Sequence, residues 1–304
     1  MTESTSLDSL DPGLVTPEEV NRDALRDALN ASGNRRRTHA AKLTATLAAT
    51  DPSFVEPLVT TIASTLGDER VVVNRELSSA LASLTHESTD SMTPAVEPLL
   101  ELLSDEVPLV RSVAAMPIRS LAIEDPTLFV GHADQLLEVV EREVSDPTAG
   151  FDAAPLDDPE MFELHQSISQ DEERRQFVAR TVAVMVLEEA TAIEPESVAD
   201  DVDRLLSLLN DDDPAVVGAI ANCITSLAQA DADGLSDAAA ALGDQLRAWE
   251  HDDAVRAQLL RALGFVRDSE AISAVRTVAT DEDAPPELRT LAAETEDWLR
   301  EQSE

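Results

Sequence analysis

The sequence has no tyrosine, 3% aromatic residues, nine glycines, a single cysteine and, among 22 basic residues, a single lysine, Lys42. Each shortage excludes something. One cysteine, Cys223, cannot close an internal disulfide or build a cysteine-based zinc cluster. The scarcity of β-branched and aromatic runs argues against sheets, while the wealth of Ala, Leu and Glu favours helix throughout. No run of eighteen apolar residues is present to span a membrane, and the acidic start MTESTSLDSLDPG does not read as a signal peptide, so a cytoplasmic location is expected. The five histidines, His39, His86, His132, His165 and His251, lack metal-ligand spacing. There is no Gly-rich phosphate loop and no Gly-x-Ser-x-Gly elbow. No catalytic, cofactor-binding or metal-binding residue is expected, and no enzymatic activity.

What is present is a long apolar fraction under an extreme charge. Apolar residues make up 43% of the 304, enough for a large core or an array of small ones. Against them stand 61 acidic residues, for a net charge of −39. An acidic excess of this size with Arg in place of Lys resembles the proteins of extreme halophiles. Molar salt shortens the Debye length from about 10 Å at 0.1 M to about 3 Å at 1 M, which mutes self-repulsion.

Internal repetition decides the fold class. The string VEPL occurs at Val55–Leu58 and again at Val96–Leu99. In PLVRSVAAMPIRSLA, the residues Val110, Val113, Ala114, Ile118, Leu121 and Ala122 recur with helical period, as do Val96, Leu99, Leu100 and Leu103 in the segment before it. Acid-Pro pairs (Asp51-Pro52, Asp125-Pro126, Glu194-Pro195) open several units, and the equivalent leucines Leu58, Leu99, Leu136, Leu205 and Leu242 recur at 37 to 41 residues, with one interval of 69. The long interval is explained by an inserted loop at 146–170, which carries Phe151, Met161, Phe162 and Leu164 among acids. The expected architecture is all-α: about seven antiparallel helix pairs forming one solenoid domain over 17–300, behind a disordered acidic tail at 1–16. Pro117 falls inside a second helix, where a kink is expected.

The period, the first-helix prolines Pro57 and Pro98, the acidic turns and the apolar-then-Arg starts (Val110-Arg111, Val255-Arg256, Leu288-Arg289) resemble the HEAT repeat family. Val217-Gly218 departs from that pattern. The resemblance implies an α-α superhelix whose second helices line a concave face, with an Asp–Arg ladder between repeats. It implies a non-catalytic scaffold that binds a protein partner. HEAT-like folds also include alkylpurine DNA glycosylases and phycobilin lyases, so a nucleic-acid-associated protein stands as the alternative and a lyase-like protein as a weaker one.

In four of the units an acid in the turn before the second helix precedes an arginine by six residues: Glu69 and Arg75, Asp105 and Arg111, Glu250 and Arg256, Asp283 and Arg289. Such spacing lets the acid cap a helix and the Arg reach back to it. The expected second helices hold sixteen basic and thirteen acidic residues, a net of +3, whereas the rest of the chain carries −42. Arg35, Arg36, Arg37, Arg119, Arg180 and Arg261 have no acid six residues upstream. They are the expected partner-binding residues, and an acidic protein is the expected partner, because the planar guanidinium holds carboxylates bidentately.

Overall fold

The computed structural model describes residues 7–85, 89–142, 159–248 and 252–302, and among these there is no strand. The helices are α1 (Arg22–Leu29), α2 (Asn34–Thr50), α3 (Pro52–Val55), α4 (Val59–Thr65), α5 (Val71–Leu84), α6 (Thr93–Leu103), α7 (Pro108–Glu124), α8 (Ala133–Glu141), α9 (Pro159–Ile193), α10 (Val202–Leu208), α11 (Pro214–Gln229), α12 (Ala238–Ala248), α13 (Asp253–Val266), α14 (Ile272–Ala279) and α15 (Pro286–Gln302). The second helices of the expected pairs are α2, α5, α7, α9, α11, α13 and α15. Several first helices are entered through 3-10 turns, as at Glu56–Leu58 and Pro195–Asp201.

Capping chemistry sets the starts. Proline opens α3, α7 and α11, where its missing N–H costs nothing. The carboxylates of Asp51, Asp213 and Asp252 accept from N–H groups of the first turns that follow them. Gly67 supplies a left-handed φ of 82° in the turn between α4 and α5, a conformation costly for any other residue.

The chain forms two compact units, Met1–Leu128 with Arg142–Val182, and Phe129–Glu141 with Ala183–Glu304. In the first, α2 packs on α5 and α5 on α7, while α4 packs on α6. In the second, α11 packs on α13 and α13 on α15, with α12 on α14. Between the layers lie fully buried side chains such as Leu43, Leu47, Leu77, Leu81 and Ile118 in the first unit, and Ile220, Ile224, Leu259 and Leu263 in the second. Each such side chain contributes about 1.5–3 kcal/mol when fully buried. No pair can bury its faces alone, so stacking supplies the stability.

Two expectations change. The tail is ordered from Leu7: Leu7 and Val15 are buried, and the His39 ring nitrogen Nε2 lies 2.9 Å from the Leu7 carbonyl. The 3-10 turn Leu7–Ser9 packs against α2. The insertion is helical from Pro159, because α9 runs unbroken to Ile193. Proline at the first helical position, followed by Glu, Met and Leu, makes a start rather than a loop. Residues 146–158 and the side chains of Met161, Phe162 and Leu164 lie outside the described residues. Pro117 lies inside α7 and is buried.

Candidate interaction face on the second helices

Four turns leading into second helices, two in each unit, are built the same way. An aspartate carboxylate accepts from the N–H two residues on: Asp68 from Arg70 at 2.9 Å, Asp105 from Val107 at 2.7 Å, Asp211 from Asp213 at 2.9 Å and Asp281 from Asp283 at 3.1 Å. A side chain six residues beyond a turn residue then reaches back to that residue's carbonyl oxygen. Arg37 Nη1 donates to Ala31 at 2.8 Å, Asn74 Nδ2 to Asp68 at 3.0 Å and Arg111 Nη1 to Asp105 at 2.7 Å. The six-residue spacing is thus real, but its acceptor is backbone. The carboxylate serves the neighbouring pair instead: Arg37 pairs with Asp68, and Arg256 with Asp281 at 3.1 Å, each across consecutive helix pairs. Hydrogen bonding to Arg256 holds the Asp281 carboxyl below the usual range.

The expected acid partners therefore shift. Arg75 is exposed and pairs with Glu76 at 2.7 Å, because Asn74 occupies the reaching-back position. Arg256 uses Asp281, and Glu250 lies outside the described residues. At Gly218, where the repeat pattern calls for Arg, a Cβ would lie 2.2 Å from Gln258 Oε1, so the missing side chain lets α13 lay Gln258 across α11. Burial, followed by repulsion from Arg142, lowers the pKa of Arg111. In the second unit Arg204 forks onto Glu141, with two contacts of 2.7 Å, and ties α10 to α8.

Of the six expected partner-binding arginines, Arg35 and Arg36 are exposed on the first turn of α2, Arg119 is exposed on α7 and Arg261 on α13. Arg180 on α9 is half-buried and engaged within the protein. Arg37 is a rung between repeats rather than a free cation. It passed the spacing test because residue 31 is alanine, yet a carbonyl is available at any residue.

Charge alone missed the apolar half of the face. Of ten large hydrophobic residues exposed among the described residues, eight lie on second helices. In the first unit Leu109, Met116 and Ile123 recur every seven residues along α7, with Met116 62% and Ile123 65% exposed, and Arg119 lies between these last two in sequence. Val72 and Arg75 are exposed on the adjacent α5, and Arg35 and Lys42 on α2. The signal was legible: these apolar positions fall out of register with the buried set Val110, Ala114, Ile118 and Leu121.

Away from that face, Glu188 on α9 accepts from Asn222 Nδ2 on α11 at 2.8 Å, and partial burial raises its pKa. Cys223 is buried beside it, its thiol pushed up to about 12 by desolvation. Among the described residues no His, Cys, Asp and Glu cluster could hold a metal ion, and no helix is long and apolar enough to cross a membrane.

No protein-family model and no curated protein matches the sequence. Solved structures do. An engineered protein solved by the Northeast Structural Genomics Consortium superposes with a TM-score of 0.58 at 16% identity, covering 93% of this chain and 69% of its own. A designed armadillo repeat protein gives 0.46 at 15% identity, over 92% of this chain and all of the design. Kap121p gives 0.41 at 12% identity; the match takes in 99% of this chain but 37% of Kap121p. The fold class is that of a HEAT/armadillo-like repeat solenoid.

Proposed function

We propose that the protein is a non-catalytic scaffold of a high-salt cytoplasm, which binds an acidic, amphipathic segment of a partner protein on the second-helix face of its first unit. The observation that carries this is the coincidence of two rarities. In a chain of net charge −39, the exposed cations Arg35, Lys42, Arg75 and Arg119 share one layer of helices with the exposed Val72, Leu109, Met116 and Ile123. Apolar patches rimmed by charge mark interaction sites. Guanidinium groups add bidentate recognition of carboxylates.

The test is capture of partners from the cytosol of the source cells at their own salt, identified by mass spectrometry. Wild type is compared with Met116→Asp/Arg119→Glu and with Arg35→Glu/Arg36→Glu. Loss of a specific acidic partner in both variants, with far-UV spectrum and melting temperature unchanged, is the expected result. A partner retained equally by both variants rules this face out. Cations on the layer also suit phosphate, so binding to random-sequence duplex DNA is measured across a KCl series. A steep negative salt slope, persisting at the native salt and lost in the variants, would favour the nucleic-acid alternative.

A further inference from the structure

The second unit holds a cleft of about 340 Å³ between α13 and α15, at the lower end of the ~300–1,000 Å³ range of small-molecule sites. Its apolar lining includes Leu260, Leu291, Phe265 and Trp298. Trp298 uses its polar end internally: Nε1 donates to the Gly264 carbonyl at 3.0 Å, an acceptor in the last turn of α13 with no helical partner. Its ring remains 43% exposed. Gly264 also lines the cleft and keeps it open, since it contributes no side chain; a Cβ there would make ordinary contact with Thr295 at 3.6 Å.

Two cations line the same space. Arg261 is exposed on α13, and Arg267 follows the end of that helix with a left-handed φ of 59°, where glycine is the usual residue. The negative end of the helix dipole accounts for one cation near this terminus. It does not account for a second, a turn and a half earlier, in the same cleft. One acid, Glu294, faces them. Arg256, Arg276 and Arg300 of this unit are all held in ion pairs, whereas Arg261 and Arg267 have none among the described residues.

We propose that this cleft binds a small amphiphilic carboxylate, with its aromatic or aliphatic body among Phe265, Trp298 and the leucines and its carboxylate held by Arg261 and Arg267. The charge complementarity selects an acid over a neutral body of the same shape. The site is independent of the protein partner proposed above, and either can fail without the other.

The probe is 3-phenylpropionate, with 3-phenylpropan-1-ol as its uncharged counterpart, added to the full chain in high KCl. In a Trp249→Phe background Trp298 is the single indole, and its emission reports occupancy. The expected result is a saturable change with Kd in the low-millimolar range or tighter, as a body of about eleven heavy atoms permits. The alcohol should bind at least about tenfold more weakly, since it offers no charge to the guanidinium fork. Gly264→Leu should fill the cleft and abolish binding, and Arg261→Gln/Arg267→Gln should bring acid and alcohol to similar affinities. A ligand-induced rise in melting temperature gives a second readout that works in a Trp298→Leu variant and in any variant whose spectrum changes. No saturable response to either compound, or equal affinity of wild type for both, overturns the proposal.

Discussion

Arg37 of α2 pairs with Asp68, which stands in the turn before α5, and its Nη1 holds the carbonyl of Ala31 in the turn before its own helix. One side chain thus joins the turns of two consecutive helix pairs. Arg256 and Asp281 make the same kind of ion pair between consecutive helix pairs in the other unit. These are contacts that fix register, because a guanidinium offers its donors in one rigid fork.

Removing the rung should be expensive where it is buried. Arg256 is 4% exposed, so Arg256→Ala leaves Asp281 without its cation and empties a filled site. A loss of about 2 kcal/mol in urea unfolding is expected, from the lost packing and hydrogen bonding of the buried guanidinium, since the Asp281 carboxylate left behind keeps its contact with water. Arg37→Ala should cost at least as much, because the Asp68 carboxylate it leaves unpaired is itself buried. Arg35→Ala and Arg119→Ala serve as controls and should stay within about 0.5 kcal/mol. Equal losses at all four positions would remove the distinction between rung and free cation.

The same rung has a pH signature. The Asp281 carboxyl is held low by Arg256, so its contribution is present above the unfolded-state value of about 3.9 and is lost as pH falls through the lower folded-state value. Asp281→Asn keeps an acceptor but not the charge. Its urea midpoint should lie below that of wild type at pH 6, and the gap should narrow as both are taken down toward pH 3. A gap that stays constant over that range would mean that the Asp281 charge contributes nothing.

Repeat count and core positions were legible because period is a local property of sequence: Leu99, Leu103, Val110, Ile118 and Leu121 are all buried as their spacing requires. Partners across repeats were not. The acceptors of Arg37 and Arg111 are carbonyls, which no residue type announces, and Asp68 lies 31 positions from Arg37, a separation set by stacking. The cleft beside Trp298 was also unreadable, since it depends on Gly264 and Trp298 meeting across two helices.

Glu188 points to a stabilising substitution. Partial burial disfavours its charged form, and Glu189 beside it adds repulsion, so the folded state binds its proton more tightly than the unfolded chain. Stability on this account falls as pH rises from the unfolded value of about 4.3 through the raised folded value. Glu188→Gln keeps an oxygen for Asn222 Nδ2 and carries no charge. Its melting temperature should exceed that of wild type at pH 7, and the two should converge at about pH 4. A variant less stable than wild type at pH 7 would show that the carboxylate is needed in its charged form.

The largest electrostatic effect should come from salt. A net charge of −39 on 304 residues repels itself over a range set by the Debye length, which grows from about 3 Å at 1 M to about 10 Å at 0.1 M. The second-helix layer is nearly neutral, so the repulsion falls on the first helices and turns, where Asp and Glu crowd. Ion pairs such as Arg204 with Glu141 offset part of it locally, but 22 basic residues cannot balance 61 acids. Helical ellipticity at 222 nm should therefore fall steeply as KCl is dialysed below a few tenths molar and return when KCl is restored. Lowering the pH toward 4 in dilute buffer should partly substitute for salt, since protonating carboxylates removes the same repulsion. A chain that keeps its full helical spectrum in salt-free buffer at pH 7 would show that packing alone outweighs the charge, and the high-salt assignment would fall.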